Sequence, residues 1–364
     1  MGILLSLIVL VAVATIIFMN QAPFGKAPSG ERLERIKKSP HYRNGAFQNQ
    51  SKTPNFSSDK NMAQVMYDFL FKKVKDRQPD KDIPVIKTNL QQLNPTEDVL
   101  VWMGHSSLYL QVAGKKILVD PVLVSASPLS GFNKAFAGSS IYKPEDLPNA
   151  DLLILTHDHW DHLDYHTMRN LKNRVAKVVC PLGVGEHLEY WGFDKNIINE
   201  LDWNEQIAVA DSFTVTALPA RHFSGRGFKR NQSLWASYML QTAKGNIYLG
   251  GDSGYDTHFS DIHSRFGTID LAILENGQYN KDWKYIHLMP EDLLKAVKDL
   301  QPQRLLTVHN SRYALAMHPW YEPLELISNA SQQDNIPLIT PMIGEPVRLK
   351  DSLQTFKKWW RENE

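Results

Sequence analysis

Nine consecutive residues, Thr156-His157-Asp158-His159-Trp160-Asp161-His162-Leu163-Asp164, contain three histidines and three aspartates. Neutral imidazole and carboxylate are donors that borderline divalent metals accept, and a catalytic zinc site usually takes three protein ligands and keeps a place for water. This loop alone offers four. In the pattern H-x-H-x-D-H, two histidines one residue apart can grip one ion from the same side. Asp161 and His162 follow too closely to complete that tetrahedron, so they read as ligands of a second ion. Two such ions lower the pKa of water from about 15.7 to about 7 in the zinc case, which supplies a nucleophile at neutral pH. A solvated loop of idle histidines accounts poorly for six metal-competent side chains in nine positions.

The loop needs an element to hold it, and the apolar run Leu152-Leu153-Ile154-Leu155 directly before it reads as a buried strand. The same order recurs further along. His222, Asp252 and His309 each come shortly after an apolar or β-prone run: Phe213 to Leu218, Asn246 to Leu249, and Arg304 to Val308. Recurrence of strand, then donor, places these side chains at one edge of a sheet system. Gly250 and Gly251 let the backbone turn tightly enough for Asp252 to reach a metal.

The ordered set H-x-H-x-D-H, His, Asp, His resembles the metallo-β-lactamase superfamily from about Asp98 to Leu349. The resemblance implies a four-layer αββα sandwich. It also implies that His157, His159 and His222 hold a first metal, that Asp161, His162 and His309 hold a second, and that Asp252 bridges them. Asp161 would thereby also belong to the catalytic set. Two zinc ions are the expected cofactors, although iron and manganese accept the same donors. A narrower resemblance is carried by Asp161-His162-Leu163-Asp164-Tyr165, Gly251-Asp252-Ser253-Gly254-Tyr255, His287 followed by Pro290-Glu291, and Ala314-Leu315-Ala316 before His318. These strings look like the phospholipase D branch that hydrolyses N-acyl-phosphatidylethanolamines. That branch implies a phospholipid substrate and an active-site role for His287, as a group that polarises a phosphoryl oxygen or protonates a leaving group. A lactonase or other ester hydrolase, and a non-enzymatic envelope sensor with structural metals, stay open as alternatives.

The remaining elements follow from pattern. Val99 to Met103, Ser107 to Val112 and Lys116 to Val119 read as a strand meander ending in the acidic turn at Asp120; His105 between them reads as a core histidine or as a support for the metal loop. Tyr165 to Leu171, Gly183 to Trp191 and Pro290 to Leu300 read as helices, Ala176 to Cys180 and Thr340 to Leu349 as strands, and the alternation argues for a layered α/β domain. Residues 122 to 149 read as a lid or binding loop, with Phe132, Phe136 and Ile141 able either to meet an apolar substrate or to pack against the domain. Arg221 and Arg226, which flank His222, are candidates to receive a phosphate, Arg226 the better of the two.

The chain has 364 residues, 43% of them hydrophobic, and 40 basic residues against 39 acidic for a net charge of +1. A sizeable core is available and no nucleic-acid footprint appears. Cys180 is the single cysteine, which excludes an internal disulfide framework. Residues 3 to 19 are uncharged and just long enough for a short membrane span. No cation precedes them and no small-x-small cleavage pattern follows, so an anchor is preferred over a signal peptide. Lys26, Arg32, Arg35, Lys37 and Lys38 come next and favour a cytoplasmic body. The expected organisation is an anchor over 1–20, a polar arm with an amphipathic helix over 21–97, and a hydrolase domain over 98–364. The arm, with Tyr42, Phe47 and Phe56 at intervals, reads either as a linker or as a strap pinned to the domain. Trp359 and Trp360 read as part of a packed terminal helix or as a membrane contact.

Overall fold

A computed structural model describes residues 2–54, 56–129 and 131–361. Met1, Asn55, Ser130 and the last three residues of the expected hydrolase domain lie outside the described residues. Among the described residues, Tyr42–Arg43 pairs with Ala46–Phe47 in a small two-stranded sheet, and the other strands build two seven-stranded sheets. The first runs, edge to edge, Pro346–Arg348, Val99–Trp102, Leu108–Val112, Lys115–Val119, Leu152–Ile154, Val178–Pro181 and Ile198–Leu201. Neighbours are antiparallel as far as Lys115–Val119 and parallel beyond it. The second runs Leu338–Ile339, Leu305–Val308, Leu271–Glu275, Gly245–Leu249, Ser237–Thr242, Phe213–Leu218 and Gln206–Ala210. Its parallel half comes first and its antiparallel half follows.

Eight α-helices occur among the described residues: α1 Gly2–Met19, α2 Gly30–Lys37, α3 Met62–Phe71, α4 Tyr165–Leu171, α5 Gly185–Tyr190, α6 His258–Phe266, α7 Pro290–Leu300 and α8 Glu322–Asp334. Because successive strand residues face opposite ways, each sheet buries two faces. Leu108, Leu110 and Val112 meet Val215, Ala217 and Leu240 between the sheets. The reverse face of the first sheet, with Val101 and Tyr109, packs on Met168 and Leu171 of α4 and Leu188 of α5. Met239, Tyr248 and Leu274 on the other sheet pack on Phe259, Leu293 and Ile327 of α6, α7 and α8. The order helix, sheet, sheet, helix follows directly from those contacts. Buried on both faces, these strands read as near-continuous apolar runs.

One sequence expectation needs correction, and the open reading of the terminal tryptophans is decided for packing. Residues 340 to 349 are not one strand. Gly344, with φ at +84, turns the chain between Leu338–Ile339 on one sheet and Pro346–Arg348 on the other. Trp359 and Trp360 are 1% and 2% exposed, with Trp359 packed near Trp102 and Trp320, so neither ring can reach a membrane. The amphipathic helix expected in the arm is α3; it buries Val65 but leaves Met66 and Leu70 exposed.

The arm is a strap. Phe47 is fully buried and its amide donates to Asn231, Tyr42 packs against its ring, and Arg32 of α2 pairs with Glu186, Glu189 and Glu200. Helix α1 is long and apolar enough to cross a membrane; it is exposed along almost its whole length, with only Thr15, Phe18 and Met19 partly covered.

Candidate metal centre

Both sheets deliver their donors at one end of the sandwich. Leu152–Ile154 leads through Leu155 and Thr156 into the histidine loop, and α4 closes that loop behind it. Asp164 caps α4 by accepting from the His166 amide, takes the Thr167 hydroxyl, and accepts the amides of Val124 and Ser125. Asp158 also turns away from its neighbours, accepting from the Gly225 amide and the Ser233 hydroxyl and meeting His187. Four of the six candidate donors remain to converge: His157, His159, Asp161 and His162.

His222 arrives from the loop after Phe213–Leu218, Asp252 from the turn after Gly245–Leu249, and His309 from the end of Leu305–Val308. Gly251, at φ +60, makes the turn before Asp252, and His309 itself sits at φ +67. Left-handed backbone at a non-glycine residue is strained and persists only where surrounding structure fixes it. Here the His309 amide donates to the carbonyl of His105.

His159 Nδ1 lies 2.8 Å from His157 Nε2 and 3.1 Å from His222 Nε2. On the other side, Asp161 Oδ2 lies 3.5 Å from His309 Nε2 and 3.9 Å from His162 Nε2. Asp252 Oδ2 joins the two sets, at 3.1 Å from His309, 3.2 Å from His162, 3.7 Å from His222 and 3.9 Å from His157. Seven side chains separated by up to about 150 positions in the chain thus gather in one cluster, with four of its histidines within 3.1 to 3.9 Å of Asp252 Oδ2.

Three properties of these residues fit a cation. First, His162 Nε2, His309 Nε2 and Asp252 Oδ1 are buried polar atoms without a hydrogen-bond partner among the described residues; such atoms are rare unless a ligand accounts for them. Second, the outward nitrogens of His162 and His222 are engaged. His162 Nδ1 donates to Asp120 at 2.8 Å, and His222 Nδ1 donates to the Ile286 carbonyl at 2.8 Å. Asp120 is fixed in turn by the Thr156 amide and hydroxyl. Partners of this kind set ring orientation in metal sites. Third, the local field is anionic. Burial opposes charge on His309 and His162, yet Asp252, with Asp161, holds His309 up at about 10 and His162 well above the ordinary imidazole range. Burial and the neighbouring rings keep His157 well below that range. A divalent cation answers the same field while leaving the ligands deprotonated.

Two further residues complete the arrangement. His105 Nε2 lies 3.0 Å from Asp161 Oδ2, and burial with the His309 ring pulls His105 down to about 3, so a neutral ring donates to the carboxylate. It supports the loop rather than filling the core. Glu275, which sequence reasoning missed, is 1% exposed and ends the strand Leu271–Glu275. Its Oε2 accepts from His287 Nδ1 at 2.6 Å, while its Oε1 accepts from the amides of Ser253 and Leu288. It had a signal: a lone carboxylate ending an apolar run.

A cavity of about 620 Å³ opens over the cluster, with Asp161, His222, Asp252 and His287 on its wall. Arg226 borders it but is not placed to receive a substrate. Its Nε and Nη2 donate to the Pro23 carbonyl, its Nη1 donates to the carbonyls of Asp158 and Leu163, and its guanidinium lies 3.9 Å from the Trp160 ring centroid. Burial pulls its pKa down to about 10. Arg221 is likewise committed, to Thr53, Lys52 and Tyr255. Phe136 belongs to the core between the sheets, with Ile141 packed partly buried beside it, so of the expected lid contacts only Phe132 stands exposed at a rim.

A β-lactamase superfamily domain model matches residues 115–310. The chain belongs to the metallo-β-lactamase superfamily of metal-dependent hydrolases and has its fold. An uncharacterized protein of Mycobacterium tuberculosis is 35% identical over 328 residues, 89% of this chain and 88% of that one. The N-acyl-phosphatidylethanolamine-hydrolyzing phospholipase D 1 of Caenorhabditis elegans is 27% identical over 266 residues, 67% of this chain and 74% of that enzyme. Among solved structures, the diiron β-hydroxylase CmlA of Streptomyces venezuelae shares the fold, with a TM-score of 0.56 at 20% identity, over 70% of this chain and 55% of that enzyme.

Proposed function

We propose that this chain is a membrane-anchored, dinuclear metal-dependent phosphodiesterase of phospholipase D type, acting on N-acyl-phosphatidylethanolamine-like phospholipids. The observation that carries the two-metal reading is Asp252 Oδ2, set within 3.1 to 3.9 Å of histidines from both halves of the donor set. His157, His159 and His222 would hold one ion, Asp161, His162 and His309 the other, with Asp252 shared. Bound zinc ions supply Lewis acidity and a nucleophile from water at neutral pH.

The chain's own residues do the rest. Asp120 and His105 fix His162 and Asp161 in place. Glu275 accepts the hydrogen bond from His287 Nδ1, which leaves His287 Nε2 to exchange a proton with a phosphoryl or leaving-group oxygen in the cavity. Lipid as substrate is supported by the likeness to the nematode phospholipase and by α1. Residues 1–20 act as the anchor, 21–97 as the strap and 98–364 as the catalytic domain, with the cations after α1 favouring the cytoplasmic face.

The test is hydrolysis of N-acyl-phosphatidylethanolamine in vesicles by the zinc-loaded full chain, run in heavy-oxygen water. Label on the phosphate of phosphatidic acid supports the proposal; label on a released carboxylate, or no turnover, overturns it. Asp252→Ala should lose metal and hydrolysis together.

A further inference from the structure

The end of α1 is bolted to the metal loop. Phe24 lies edge-on to Phe18 of α1 and to Trp160 of the loop, each with ring centroids 5.1 Å apart. The carbonyl of Pro23 takes two bonds from Arg226, and the carbonyl of Ala22 takes the indole N–H of Trp191. The Lys26 amide donates to His187 Nδ1, and Gly25 is the residue at this contact because a Cβ there would overlap the same nitrogen. A span joined this way cannot pivot freely. It fixes which surface of the body lies against the bilayer.

That surface has a defined composition. Met19, the last residue of α1, packs on Gly227, where a Cβ would come within 2.9 Å of its Cε. Phe228 follows at once and is 83% exposed, trailed by the exposed cations Lys229 and Arg230. Pro23 borders a second cavity, whose other wall carries Phe132, 61% exposed, and the exposed Lys134. Trp160 lines both cavities. The span therefore leaves the body between two loops, one presenting bare Phe228 followed by two cations and the other bare Phe132 followed by one, at the mouth of the cavity that holds the donor cluster.

We infer that these two loops, residues 225–231 and 131–134, form a docking surface for an anionic phospholipid bilayer, with Phe228 and Phe132 inserted among the acyl chains. Lys229, Arg230 and Lys134 lie at headgroup depth, where anionic lipid attracts cations. Amphipathic side chains set beside an anchor add apolar and electrostatic attachment to it. The cavity mouth then sits flush with the membrane, and an amphiphile enters sideways without leaving the bilayer. The inference rests on α1 being a membrane span and goes beyond the assignment of substrate.

Cys180 is fully buried, so introduced surface cysteines can be labelled alone. In the full chain, Phe228→Cys, Phe132→Cys, Ile8→Cys in α1 and Leu353→Cys on the exposed C-terminal segment are each labelled with an environment-sensitive fluorophore. The proteins are reconstituted in vesicles of equal parts phosphatidylcholine and phosphatidylglycerol. Labels at 228 and 132 should be quenched by shallow lipid-borne nitroxide and the label at 8 by nitroxide deep in the acyl chains, and all three should be protected several-fold from aqueous iodide relative to 353. A label at 8 that is protected while 228 and 132 quench like 353 overturns the docking and leaves the anchor standing. Iodide quenching at 8 as well overturns both. Equal protection at 228 in pure phosphatidylcholine overturns the part assigned to the cations.

Discussion

Glu275 Oε2 lies 2.6 Å from His287 Nδ1, and Glu275 is itself pinned by two backbone amides. A buried carboxylate so held cannot follow the ring, so the ring follows it. This makes Glu275 the positioning residue for His287, whose Nε2 is left toward the cavity. We predict that His287→Ala keeps its metal and loses about 10²–10⁴-fold in kcat, the range typical of a general acid or base. Glu275→Gln should lose kcat by a smaller factor, about 10–100-fold, with little change in KM. Metal analysis and steady-state kinetics check both. An unaltered kcat in His287→Ala removes that residue from the chemistry.

The donor cluster was legible because each donor follows a strand of apolar residues, and a short sequence window contains both. What the window does not contain is the partner. His105 stands 56 residues from Asp161, and Asp120 stands 42 from His162, so their roles emerge only when the first sheet pairs Val99–Trp102, Leu108–Val112 and Lys115–Val119 beside Leu152–Ile154. Arg226 misled for a related reason. A guanidinium beside a metal ligand suits phosphate and backbone carbonyl equally, and only the folded strap brings Pro23 to it. The layered fold could be read from alternation, but the crossing from Leu338–Ile339 on one sheet to Pro346–Arg348 on the other could not, since the whole stretch satisfies strand propensity.

Asp120 offers a test of support that leaves every proposed ligand in place. Its carboxylate accepts from His162 Nδ1 and is held by Thr156. Removing its charge with Asp120→Asn weakens the hold on the imidazole. Affinity for the metal in the second set should fall about 10–100-fold, the usual consequence of losing such a partner. Competition against a chelator, read as zinc released per chain, measures it; identical release curves for the two proteins would falsify the supporting role.

The strap should show its own pH dependence. Burial raises the Glu186 carboxyl, but Arg32 and Lys26 outweigh it and hold Glu186 below its ordinary value of 4.5. A carboxyl depressed in the folded state stabilises fully above the unfolded pKa, and the contribution disappears as pH falls through the lower, folded value. We therefore predict that Glu186→Gln lowers the Tm at neutral pH and that the gap to the native protein closes below about 4.5. Thermal unfolding across pH reads it. A gap of constant size from neutral to acid pH would show that the ion pair does not act through this ionisation.

The two possible jobs of Arg226 separate cleanly in a variant. As a substrate ligand it would raise KM when shortened and leave stability alone. As the clamp seen here, it joins Pro23 of the strap to Asp158 and Leu163 of the metal loop and stacks on Trp160. Lysine keeps the charge but cannot reproduce the planar fork or the stack. Each lost charged hydrogen bond is worth about 1.5–3 kcal/mol before relaxation, so we predict that Arg226→Lys lowers unfolding stability by roughly 2–4 kcal/mol. Proteolysis near Gly25 and Lys26 should accelerate, because the segment after α1 loses its main attachment to the loop. KM should stay close to the native value once the protein is folded and metal-loaded. Denaturant unfolding, limited proteolysis and kinetics on one preparation decide the matter. A raised KM with unchanged stability would return Arg226 to the substrate and leave the bolted span without its central contact.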